Sequence, residues 1–172
     1  MIRTLAFLLA AIAARGAENN PLSAEAKADY LNVRRNMIRA AEKMPEGKYA
    51  FKPVSEVRTF AALIAHVADD QYNLCAPVKG ETRQAAYSEL EQTLSKKGEL
   101  VDALKKAFEY CDGAYNSVTD KTAADPVMFF NMSRAKLSML NWNTWHTWEH
   151  YGNVVVYLRI NGLVPPSSEQ KK

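Results

Sequence analysis

Apolar residues recur at three- and four-residue intervals in four long stretches of this chain, and proline- or glycine-bearing breaks separate the stretches. That spacing lays one apolar stripe along an α-helix, and little else accommodates it. The first stretch runs from about Ser23 to Met44, with Ala26, Tyr30, Val33, Met37, Ala41 and Met44 facing inward. Ser23 is its expected cap, and the "PEG" at 45–47 ends it. The following "KYAFKPVSEVR" reads as an extended connection, because a proline disfavours helix in the residue before it. The second helix starts at Thr59, a good N-cap, and runs to about Cys75 through Phe60, Leu63, Ile64, Val67 and Leu74, with Pro77 and Gly80 as stops. Residues 77–92 form a long connection with room for one helical turn. The third helix runs from about Ser95 to Val118, and "TDKTAADP" breaks the pattern after it. The fourth spans about Ser133 to Asn161, with Gly162 where a left-handed C-cap residue belongs and Pro165-Pro166 beyond. The tail "SSEQKK" is expected to fray.

Four long helices with few strand signals predict an all-α fold, a four-helix bundle. The connection after the second helix is long enough to travel back along the bundle. Helices two and three can then run parallel, in an up-down-down-up order. The two cysteines bear on that order. Cys75 and Cys111 each lie near the end of their helix, so parallel helices place both thiols at one level, where a bridge can form; antiparallel helices place them at opposite ends. Unbridged, the two would act as small apolar residues.

A length of 172 residues with 48% hydrophobic content suits one domain with a sizeable core. The first residues set the compartment. "MIRTLAFLLAAIAARGA" has a basic start at Arg3, an apolar run from Leu5 to Ala14, then small residues, which is the form of a secretory signal peptide over residues 1–17. Its apolar run is too short for a permanent membrane anchor. The mature domain is then 18–172, soluble and secreted or periplasmic, without a membrane span. Removing Arg3 and Arg15 from the 22 basic residues leaves them nearly balanced against 19 acidic ones. No Lys/Arg cluster lies beside stacking aromatics, which argues against nucleic acid as a partner.

The chain has three histidines, and two of them stand four residues apart in the fourth helix, in "HTWEH". At 100° per residue, His150 lies about 40° from His146 on the helical wheel, with Asn143, Asn153 and Tyr157 nearby. A solvated face would carry Lys, Glu or Arg; this strip carries two imidazoles, two amides and a phenol at the border of the apolar face. Imidazoles at i and i+4 can both direct a nitrogen at one metal ion. The third histidine, His66, sits mid-way along the second helix beside Leu63 and Val67, where a neighbouring helix could present the pair to it. Alone, such a residue is ordinarily a satisfied core histidine. Three protein nitrogens would hold zinc or nickel with positions left open, the mark of a catalytic site. Asp70, one turn beyond His66, could orient an imidazole, serve as a fourth ligand or act as a base; Asp69 is a weaker candidate. Asp70, Asn143 and Tyr157 are the candidates for proton handling and orientation. "HTWEH" also spells the inverted zinc-protease pattern, but Glu149 lies about 100° from His150 and the further acidic ligand is missing, so that match is accidental. Trp142, Trp145 and Trp148 read as core packing or a dimer contact.

The mid-helix histidine in "LIAHVADDQYNLC", followed far downstream by "NTWHTWEHYGNVVVYLRINGLVPPSS", resembles the DinB-like family, including secreted members with a similar C-terminal run. The resemblance covers about residues 23–168. It implies an up-down-down-up four-helix bundle, often a homodimer, with a divalent metal on three histidines, here His66, His146 and His150. It also implies either metal-dependent hydrolysis or transfer involving a low-molecular-weight thiol, with a small molecule as substrate. The alternative is a non-catalytic envelope protein that the metal stabilises or that binds a ligand.

Overall fold

The computed structural model describes residues 20–82 and 88–170. The leader expected over residues 1–17 lies outside the described residues. Among those described are five α-helices and one hairpin: α1 (Pro21–Lys43), α2 (Phe60–Lys79), α3 (Glu89–Thr93), α4 (Lys97–Ser117), β1 (Pro126–Phe129), β2 (Met132–Ala135) and α5 (Lys136–Ile160). The chain is mostly helical, and α1, α2, α4 and α5 share one core. Tyr30, Met37, Phe60, Ile64, Leu104, Phe108, Met139 and Leu158 are among its enclosed members. No described helix is long and apolar enough to cross a membrane.

Contacts between helix ends fix how these rods meet. Past the end of α4, the Asp120 carboxylate accepts hydrogen bonds from the Leu22 and Ser23 amides in the first turn of α1 (3.1 and 2.9 Å). At the other end, Lys97 in the first turn of α4 donates to the Glu42 and Met44 carbonyls, where α1 stops. Cys75 of α2 and Cys111 of α4 are joined in a disulfide, with Cα atoms 5.4 Å apart. The bridge that a common level permits is therefore present. Close by, Lys79 at the end of α2 lies 3.7 Å from the Tyr110 ring of α4.

Several local details differ from the sequence expectation, each for a physical reason. Ser23 does not cap α1. The helix begins at Pro21, whose fixed φ suits a first turn, and Asp120 supplies the acceptor from another part of the chain. Proline 77 does not stop α2: it lies inside the last turn, where one missing N–H is tolerated, and Gly80 at φ 73° ends the helix. The fourth periodic stretch starts at Lys136 rather than Ser133, because residues 126–135 form a small antiparallel hairpin with Phe129 paired to Met132. The C-terminal tail does not fray at Ser167: a 3₁₀ turn spans Pro166–Ser168, and Glu169 pairs with Arg39 and Lys43 of α1. Thr59 does cap α2, accepting from the Ala62 amide at 3.1 Å, and Gly162 adopts φ 74° after α5. Trp142 and Trp148 are half-buried, whereas Trp145 is 54% exposed and stacks on Trp142.

The connection from Tyr49 to Thr59 bears directly on the site. The Phe60 and Ala61 amides donate back to the Phe51 and Tyr49 carbonyls, folding this segment over the start of α2. The Tyr157 hydroxyl of α5 donates to the Arg58 carbonyl at 2.6 Å. Arg58 is thereby held where the start of α2 meets the last turns of α5.

Candidate metal centre

Helix α2 buries an unusual number of polar side chains for a core helix: His66, Asp69, Asp70, Gln71 and Asn73. Buried polar groups require partners, and these find them on α3, on α5 and on one another. His66 and Asp70 are four residues apart, so they lie on the same face of α2; His146 and His150 have the same relation on α5. The two faces meet. His66 Nε2 lies 3.1 Å from His150 Nε2, which lies 3.1 Å from His146 Nε2. Asp70 Oδ2 is 3.1 Å from His66 Nε2 and 3.6 Å from His146 Nε2. One donor atom from each of the four residues falls within 4.8 Å of every other. His66, Asp70 and His150 are buried and His146 is half-buried.

Burial, first of all, holds protons off the His66 and His150 rings. His66 is pushed below the usual imidazole range by desolvation, opposed by the Asp70 carboxylate and reinforced by the Arg58 cation. His150 is pushed down to about 3 by desolvation, then by its two histidine neighbours and Arg58. A neutral imidazole offers a lone pair, which a metal ligand requires.

The polar accounting indicates what the cluster suits. Three rings present the same atom, Nε2, to a common centre, and His150 Nε2 faces two others while it can share at most one proton with them. Asp70 Oδ1 accepts from Asn73 Nδ2 at 2.8 Å, but buried Oδ2, aimed at the imidazoles, has no aligned hydrogen bond. His66 Nδ1 and His150 Nδ1 are likewise buried without one. Ligand nitrogens around a tetrahedral zinc, each ~2.0–2.1 Å from it, are about 3.3 Å apart. The nitrogen spacing here is close to that, and the donor set of three imidazoles and a carboxylate fits a divalent ion.

Support comes from residues the sequence reading missed or set aside. Asp69 accepts from the Leu90 and Glu91 amides (3.2 and 3.1 Å), pinning the first turn of α3 to α2. That places Glu91, whose Oε1 pairs with Arg58 Nε at 2.9 Å and whose Oε2 lies 3.8 Å from His66 Nδ1. A carboxylate facing the far nitrogen of a ligating histidine orients the ring and raises its basicity. The sequence gives no direct signal for Glu91 or Arg58, since Arg58 lies in a connection and Glu91 in the short α3, and the placing of both depends on tertiary packing.

The structure separates the three residues considered for proton handling. Asp70 is in the cluster. Asn143 is fully buried one turn before His146, and its amide donates to Gln71 Oε1 (2.9 Å) and Tyr115 Oη (3.3 Å). Gln71 in turn donates to Thr147 Oγ1, and Tyr115 to the Leu140 carbonyl, so Asn143 belongs to a polar network joining α2, α4 and α5. Tyr157 lines a cavity of about 420 Å³ with His150, Arg58 and Leu63, its hydroxyl directed to the Arg58 carbonyl. Glu149 is exposed and is not one of the four residues whose donor atoms converge.

The family model of the DinB superfamily matches residues 30–154. This chain belongs to the DinB superfamily. Solved DinB-like proteins share its fold. One from Bacillus cereus has a TM-score of 0.71 at 13% identity, over 82% of this chain and 93% of that one. One from Bacillus subtilis has a TM-score of 0.68 at 19% identity, over 86% and 99%. A mycothiol-dependent maleylpyruvate isomerase is similar over 77% of this chain and 60% of that one, with a TM-score of 0.65 at 17% identity. A search of curated proteins found no match. At these identities the neighbours establish the DinB-like fold, while the four-residue cluster is a property of this chain's own residues.

Proposed function

We propose that this chain is an exported, metal-dependent enzyme in which His66, His146 and His150 hold one divalent ion, zinc or nickel by donor type. The observation that carries the reading is the convergence of three Nε2 atoms from two helices beside a buried carboxylate oxygen. A divalent ion held there supplies a Lewis acid and makes a bound water or thiol more acidic. Asp70 is the proton carrier: its Oδ2 is the unbonded buried oxygen facing the donor atoms. Glu91 orients His66, and Asn143, through Gln71 and Tyr115, keeps α5 at the right height against α2. The cavity beside His150 gives a small molecule access.

The reaction class in this reading is hydrolysis or thiol-dependent transfer. The mycothiol dependence in the name of one structural neighbour supports carrying a thiol over as a substrate class. In the same reading the four long helices form an up-down-down-up bundle, which the Asp120–α1, Lys97–α1 and Cys75–Cys111 contacts support, and residues 1–17 direct export before removal. A homodimer of the mature domain, soluble and without nucleic acid, completes it.

One observation favours a second reading. Asp70 is only 2% exposed, and its Oδ2 is close enough to the imidazoles to act as a fourth ligand. A site closed in this way would stabilise a non-catalytic envelope protein. Cobalt(II)-substituted protein titrated with a small thiol or azide separates the two. A shift of the visible d–d bands on addition supports an accessible ion and the enzyme; bands indifferent to both support the closed site.

A further inference from the structure

The cavity at His150 has a chemical bias that the histidine cluster does not explain. Its walls at Pro53, Val57, Leu63 and Val156 are apolar, and its one cationic side chain is Arg58. The Arg58 backbone is fixed by Tyr157, and Nε is fixed by Glu91 Oε1 at 2.9 Å, while the guanidinium remains 44% exposed. The two terminal nitrogens take no part in that bond, so the planar fork is preset with donors to spare, the geometry that matches a carboxylate. Glu56 also lines the cavity, and hydrogen bonds from Ser55 and its own amide hold its carboxyl below the usual range, so it is a negative charge that the Arg58 grip must outweigh. At about 420 Å³ the space suits a compact organic molecule.

From these facts we infer that the site takes a small carboxylate with a short hydrocarbon body: Arg58 grips the carboxylate, the apolar walls cover the chain, and the far end lies against His150. The inference rests on the proposed metal site for its functional meaning, but the carboxylate grip belongs to Arg58. Arg58 is then a specificity-determining residue, and Glu91 has two tasks, orienting both the guanidinium and His66.

The test is calorimetric titration of the folded protein, zinc-loaded and metal-free, with hexanoate and with uncharged hexanamide, and zinc content is measured on every sample. Wild-type protein is expected to prefer hexanoate over hexanamide by about tenfold or more, the factor a charge-assisted hydrogen bond supplies. Arg58→Gln is expected to abolish that preference, and Arg58→Lys to restore part of it. A purely structural Arg58 would lower the affinity for both ligands and leave their ratio unchanged. An unchanged ratio in Arg58→Gln overturns the inference, as does a wild-type protein that binds both ligands equally or neither. Failure of the metal reading registers separately, as absent zinc in wild-type protein, and the metal-free titration then still reports on Arg58.

Discussion

Reduction of the Cys75–Cys111 bridge has a magnitude that follows from the chain itself. The two cysteines are 36 residues apart in sequence, and both are fully enclosed. Closing a loop of that length removes unfolded-state entropy equivalent to about 4 kcal/mol at room temperature. For a domain of this size each kcal/mol moves the midpoint of melting by about 2–4 °C, so reduction should lower it by roughly 8–16 °C. The assay is circular dichroism melting of the oxidised protein and of protein reduced in denaturant and refolded with reductant present, because folded protein shields both sulfurs. A Cys75→Ala/Cys111→Ala variant should melt close to the reduced form and be indifferent to reductant. A reduced form within about 3 °C of the oxidised one would mean a contribution of under about 1–2 kcal/mol. The reasoning that assigns the bridge the job of locking α2 to α4 would then be refuted.

Further predictions follow from the same contacts. His150, whose folded value of about 3 lies below the ordinary imidazole value, leaves the unfolded chain holding more protons between those limits, so metal-free protein should lose stability as pH falls. From pH 7 to pH 5 the loss from this group is about 2 kcal/mol, read as a lower urea midpoint; a midpoint that stays level or rises on acidification contradicts the burial argument. Asn143→Leu should cost about 1–3 kcal/mol by stranding buried Gln71 Oε1, yet leave metal content intact; loss of metal with unchanged stability would instead place Asn143 at the ion. Asp120→Ala should lower the midpoint of thermal or urea unfolding, because it caps two amides of α1; no change would show that water replaces it at no penalty.

Much of this architecture was legible because helical periodicity is a local property. The stripes through Tyr30, Leu63, Leu104 and Val154 are set by spacing alone, and so is the pairing of His146 with His150 on one face. The hairpin at 126–135 was not legible: its tight turn at Phe130-Asn131 lacks the glycine that ordinarily marks one, and Phe130 adopts φ 49° instead. The helical wheel placed Asn143 in the same strip as the histidines, but an angle on one helix carries no depth. The approach of Gln71 and Tyr115 on that side draws Asn143 into a separate network. Arg58 lies in the connection before α2, Glu91 in the short α3, and Asp69 on α2 where it accepts from the first amides of α3. Their meeting at His66 depends on how α3 folds back against α2, which no single-helix pattern encodes.

The central claim is that one divalent ion sits between α2 and α5, held by His66, His146 and His150. Elemental analysis of protein purified without an affinity tag, wild-type and His150→Ala, addresses it most directly. Wild-type protein should carry about one equivalent of zinc or nickel per chain and the folded variant almost none, since losing one of three imidazoles leaves too few ligands to retain an ion. Stoichiometric metal in His150→Ala, or a wild-type protein that takes up none when offered zinc and nickel, would contradict it.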